Sequence, residues 1–148
     1  MNPDELSSGL ANRQAELDNA ALYRALAEAE KDARLAEVYR RMAAVEERHA
    51  AVLEERLRAA GHAVPVFQPS WRTRTLSVLA RRLGVGAVLP TLASWEDLAA
   101  HQYAGAASQP GMAAEERSHG RLLRHLTGAA RGGLEGGALA QLEGRHRA

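Results

Sequence analysis

Twice along this chain a glutamate and a histidine stand three residues apart where a helix should present apolar side chains. Glu46 and His49 do so within AAVEERHAAVLEERL (43–57), and Glu116 and His119 within AAEERSHGRLL (113–123). Counting from Leu35 in alternating steps of four and three gives Leu35, Tyr39, Met42, Glu46, His49 and Leu53, a heptad seam with the acid and the imidazole inside it. Glu116, His119, Leu123 and Leu126 make a similar stripe. A bare carboxylate in such a seam costs roughly several kcal/mol unless it is paired or bound to metal. The chain must therefore form long helices whose buried faces carry charge for a reason.

Composition supports the helices. In 148 residues, 46% are apolar and 25% charged, which suits one globular domain. Two Trp, three Tyr and one Phe are the only aromatics, and Ala and Leu dominate, favouring close-packed helices over a sheet. The absence of cysteine excludes disulfides, thiolate catalysis and Cys-ligated zinc or iron–sulfur sites. A formal charge of +1 gives no reason to expect nucleic acid as a partner. MNPDELSSG is acidic and lacks the apolar core of a signal peptide. VGAVLPTLASW (85–95) is too short and interrupted to span a bilayer, so the chain as given reads as soluble.

The pattern predicts a first helix over 3–30, capped by Asn2 or Asp4, a short connection EKDAR (30–34), and a second helix to 60 ended by Gly61. HAVPVFQP (62–69) reads as extended loop. Ser70 caps a short helix to Leu83 that sets Arg72, Arg74, Arg81 and Arg82 opposite Leu76, Leu79 and Leu83. That helix is either a solvated amphipathic one or a segment lying on an anionic membrane surface. Gly84 and Gly86 break it, and a third long helix runs to about Tyr103 with Pro90 at its first turn or kinking it. GAASQPG (105–111) is a turn, and a fourth long helix reaches about Thr127. The remainder, six glycines in 21 residues, reads as weak helix or linker. Four long helices joined short, long, short describe an all-α, ferritin-like four-helix bundle over 1–128 with one long crossover carrying a short extra helix, followed by a Gly-rich tail over 129–148.

The two remaining long helices supply acids at matching heights. Glu16 lies fifteen residues before Lys31 and Glu46 fifteen after it, so an antiparallel hairpin sets them level, about 22 Å from the turn. With the second turn centred near residue 107, Glu96 is mirrored close to His119. Four carboxylates carry about −4, which two divalent cations neutralise. Glu from two helices with Glu-x-x-His from two others is the donor set of di-iron and di-manganese carboxylate bundles. Rivals exist at single positions: Leu17 competes with Glu16 for the inward direction and Asp97 with Glu96, while Glu115 reads as an outward acid that could still reach His119 from one turn away. Glu47 and His101 read as surface groups. Each tyrosine stands seven residues from a proposed ligand (Tyr23 from Glu16, Tyr39 from Glu46, Tyr103 from Glu96), placed to hydrogen-bond ligands or close the bundle end, or simply to fill core. Glu143 to His146, a third Glu-x-x-His, falls in the glycine-rich tail and reads as outside the site.

NRQAELDNAALYRALAEAEKDARLAEVYRRMAAVEERHAAVLEERLRAAG (12–61) closely resembles the rubrerythrin-like, ferritin-type domain at the N-terminus of bacterial vacuolar-iron-transporter-family proteins. These are also called erythrin–vacuolar iron transport proteins or membrane-bound ferritins. RTRTLSVLARRLG, LPTLASWEDLAAHQYAGA, AAEERSHGRLL and GGLEGGALAQLEGRHR continue the likeness. The resemblance implies two iron ions, with manganese or zinc able to substitute, on Glu16, Glu46, His49, Glu96, Glu116 and His119. It implies Fe(II) binding and oxidation by dioxygen or peroxide, coupled to iron or manganese export by an attached transmembrane transporter domain, and a homodimer. In that family EGRHR precedes the first transmembrane helix. The arginines of the short helix, with Arg145 and Arg147, then place the domain on the cytoplasmic face of the cell membrane. Two departures matter. Rubrerythrins carry a further acid one turn beyond the third-helix Glu, where this chain has Ala99, and a cysteine-bearing rubredoxin module, which a chain without cysteine cannot provide. A non-catalytic metal-sensing and dimerisation module for the transporter is the alternative, and a metal-free bundle pairing its acids with Arg13 or Arg117 is a third reading.

Overall fold

A computed structural model describes the backbone at residues 1–104 and 110–131 and the side chains at 1–101 and 111–128. Among these residues every regular element is helical: α1 (Pro3–Ala29), α2 (Ala33–Ala59), α3 (Trp71–Leu83), a 3-10 turn (Val85–Ala87), α4 (Leu89–Ala104) and α5 (Pro110–Arg131). This is the all-α helix order of a ferritin-like bundle, two long hairpins joined by a crossover that carries α3. The chain divides into two compact units, Met1–Val85 and Gly86–Ala148.

Local chemistry sets the helix ends. Asn2 caps α1 in a reciprocal box, its side chain accepting from the Glu5 amide at 2.8 Å while the Glu5 carboxylate accepts from the Asn2 amide at 3.2 Å. Glu30 and Asp32 leave the helical region, and the Asp32 carboxylate accepts from Arg34 and Leu35 amides to start α2. The break is therefore only Glu30–Asp32, shorter than EKDAR, and α2 ends at Ala59 with Gly61 at φ 84° beyond it. Ser70 caps α3 through the Thr73 amide. At its far end Gly84 takes φ 94°, a conformation open to glycine. Pro90 sits in the first turn of α4, where its missing N–H costs nothing. Helix α5 runs four residues past the expected end at Thr127, to Arg131. The turn at 105–109, the side chain of Tyr103, and the tail from 132 with Glu143, Arg145, His146 and Arg147 lie outside the described residues.

In the first unit α1 and α2 pack along their length, with Leu22, Tyr23, Leu26, Tyr39, Leu53 and Leu57 in the core. Ala36, Ala43 and Ala50, spaced by seven, are buried on α2 and let the helix axes approach closely. In the second unit α4 packs on α5 through Leu92, Ala93, Ala100, Met112, Leu123 and Leu126.

The buried face of α3 differs from expectation. Thr73, Ser77 and Ala80 face inward, while Leu79 and Leu83 are exposed and Leu76 is half-buried. Small residues let α3 lie close on α1, and their hydroxyls are satisfied locally: Ser77 donates to the Thr73 carbonyl at 2.7 Å, and Ser70 to Thr73 Oγ1 at 3.1 Å. Steric fit outweighs side-chain apolarity here.

Candidate metal centre

On α1, the residues Arg13, Glu16, Ala20, Tyr23 and Ala27 follow each other in steps of three and four, and all are buried. Glu16 thus takes the inward direction for which Leu17 competed, and Leu17 is half-buried beside it. On α2 the seam Tyr39, Met42, Glu46, His49 and Leu53 is buried throughout. Because the turn is centred on Lys31, Glu16 and Glu46 meet at one level. His49 Nδ1 lies 3.4 Å from Glu16 Oε2 and 3.9 Å from Glu46 Oε2. Donor atoms of Glu16, Glu46 and His49 all fall within 4.8 Å of one another.

The second unit repeats the arrangement. Glu96 lies on the α4 face that also holds Leu92, Ala93 and Ala100, while Asp97 turns outward to pair with Arg124. His119 Nδ1 is 3.7 Å from Glu96 Oε1, and the donors of Glu96, Glu116 and His119 share the same 4.8 Å limit. Glu16 is 2% exposed, and Glu46, Glu96 and Glu116 are fully buried. The other candidates are at the surface. Glu47 accepts two hydrogen bonds from Arg24 at 2.7 and 2.9 Å, and His101 and Glu115 are exposed. Arg13 forms a salt bridge with Glu54 at 3.3 Å, one turn along α1 from Glu16.

Each unit offers two carboxylates and one imidazole, with no sulfur. Such oxygen and nitrogen donors suit iron, manganese and zinc in their divalent states. Two carboxylates desolvated side by side repel each other, and a divalent cation supplies the missing charge. The residues present fit a metal site. Tyr39 and Tyr23 are buried on the same stripes, and burial, reinforced by the Glu30 charge, pushes the Tyr39 phenol well above its ordinary value. Tyr39 stays a neutral hydrogen-bond donor across the physiological range.

A family model described as rubrerythrin matches residues 11–88, more than half of the chain. The chain belongs to the rubrerythrin family. The rubrerythrin match begins within α1 and runs just past the 3-10 turn, taking in Glu16, Glu46 and His49; Glu96, Glu116 and His119 lie beyond it. A search of the curated proteins and of the solved structures returned no match. Membership makes iron the expected metal of this rubrerythrin-type domain.

Sequence reasoning overlooked Asp18. It is buried two residues past Glu16, accepting from the Ser70 amide at 2.9 Å and from Gln14 Nε2 at 3.2 Å. Gln14 also donates to the Gln68 carbonyl at 2.8 Å. These contacts moor the crossover to α1. The Gln14/Asp18 spacing of four was the one visible signal, and it is common on exposed helices.

Proposed function

We propose that Glu16, Glu46, His49, Glu96, Glu116 and His119 together hold two iron ions, and that the chain binds and oxidises Fe(II). The observation that carries this reading is the duplication: each unit sets the same Glu plus Glu-x-x-His donors at contact distance, with all four carboxylates buried, in a chain of the rubrerythrin family. Manganese or zinc would occupy the same donors. Bound iron supplies a redox centre and a Lewis acid, with dioxygen or peroxide as electron acceptor. The protein's part is to present carboxylates and imidazoles as ligands, to exclude bulk water by burial, and to keep Tyr23 and Tyr39 on the site-bearing faces, Tyr39 with a neutral phenol. The resemblance to the transporter-linked ferritin-type domains extends the reading: a homodimer on the cytoplasmic face of the cell membrane, its iron chemistry coupled to export by an attached transporter.

One observation favours the second reading, a non-catalytic metal sensor and dimerisation module for the transporter. Ala99 stands where rubrerythrins carry a further acid, and it packs on Met112 and Ala113 as ordinary core. Stopped-flow absorbance after mixing Fe(II)-loaded protein with peroxide separates the two. The ferroxidase reading requires oxidation much faster than that of Fe(II) in buffer, lost in Glu46→Ala. A rate equal to buffer in protein that retains its iron leaves the sensor.

A further inference from the structure

With its small residues turned inward, α3 shows an unusual mixture to solvent. Trp71 is 72% exposed, Leu83 71%, Val78 44% and Leu79 37%. Trp71, Thr75, Val78, Leu79 and Arg82 lie within about 100° of helix arc, opposite Thr73, Ser77 and Ala80. Arg74 and Arg81 flank this ridge on one side and Arg72 on the other. The Arg72 guanidinium stands 5.5 Å from the Trp71 ring centroid, and Arg81 also pairs with Glu28 at 3.3 Å. From Arg56 to Trp95 the sequence has no Asp or Glu and six arginines, in a chain whose formal charge is only +1. The positive field is concentrated on this segment.

We propose that the outward face of α3 docks on an anionic lipid surface, lying in the interface plane. The chemistry selects this occupant over others. A second copy seated across a two-fold axis would bring the four arginines of each α3 against those of its twin. A nucleic-acid duplex offers phosphates but no apolar layer for Val78, Leu79 and Leu83. A bilayer interface offers both: headgroup phosphates for arginines that extend outward, and an acyl boundary for Trp71 and the aliphatic ridge. The inference is independent of the metal site.

The test uses the whole chain, co-sedimented with vesicles of phosphatidylglycerol and phosphatidylcholine or of phosphatidylcholine alone, with tryptophan emission recorded. Binding to the anionic vesicles, a blue shift, and weakening with salt are expected. Arg72→Gln, Arg74→Gln and Arg82→Gln should each weaken binding about five-fold. Trp71→Ser should remove the blue shift while Trp95 still reports a folded chain; circular dichroism checks the helices in every variant. Equal binding to both vesicle types, or no binding to the anionic ones at low salt, overturns the proposal. So does a Trp71→Ser variant that turns a dimer into a monomer without altering vesicle binding, which would assign the face to a second copy.

Discussion

At Glu46 and Glu47 one side-chain type meets two environments. Glu46 is fully buried against His49, whereas Glu47 takes a forked hydrogen bond from Arg24 at the surface and thereby raises the Arg24 pKa. Glu96 and Asp97 repeat the contrast. The outward pairs are solvated and contribute little, roughly 0.2–1 kcal/mol each. Gly120 tests that scale. A Cβ there would fall 2.6 Å from Asp97 Oδ1, so Gly120→Ala must swing the carboxylate aside and loosen its pair with Arg124. Alanine also gains about 1 kcal/mol over glycine inside a helix. The two effects nearly cancel. Thermal unfolding should shift by no more than about 3 °C, and a loss above about 2 kcal/mol would show that the backbone, not a movable side chain, occupies the space.

Between elements, one buried acid holds the start of α3 to α1. Asp18 accepts from the Ser70 amide, the same residue whose hydroxyl caps α3. Asp18→Ala leaves that amide without its acceptor at a cost of about 1–3 kcal/mol. Hydrogen exchange should accelerate across α3 before the rest of its unit, and Asp18→Asn, which keeps an acceptor oxygen, should recover most of the protection. Uniform acceleration across α1, α2 and α3 would mean that the crossover is not separately moored. At this scale the sequence was legible where local chemistry decides. Asn2, Asp32, Ser70 and Gly84 announce helix ends, and counting from Lys31 places Glu16 level with Glu46. The orientation of α3 was not legible, because apolar spacing favours Leu79 and Leu83 while the contact with α1 selects Thr73, Ser77 and Ala80 for their size. Asp18 was hidden for a related reason: its partner is a backbone amide 52 residues away, which leaves no trace in composition or periodicity.

Across the whole molecule, metal held on the proposed ligands would tie folding to metal binding. Buried carboxylates that repel when ionised are neutralised by a divalent cation, so ligand binding adds to folding free energy in proportion to its affinity. Chelation should lower the melting temperature and Fe(II) or Mn(II) restore it. The gain should be larger at pH 7 than at pH 5, because protons compete with the metal for the same ligand atoms. An equal gain at both pH values would place the metal on other groups. Iron content after anaerobic Fe(II) loading and desalting, measured by elemental mass spectrometry, tests the central claim most directly. About two ions per chain are expected for the parent protein, one or none for Glu46→Ala and for Glu116→Ala, and the parent value for Glu47→Ala. Parent-level iron in Glu46→Ala, or its loss in Glu47→Ala, would contradict the assignment.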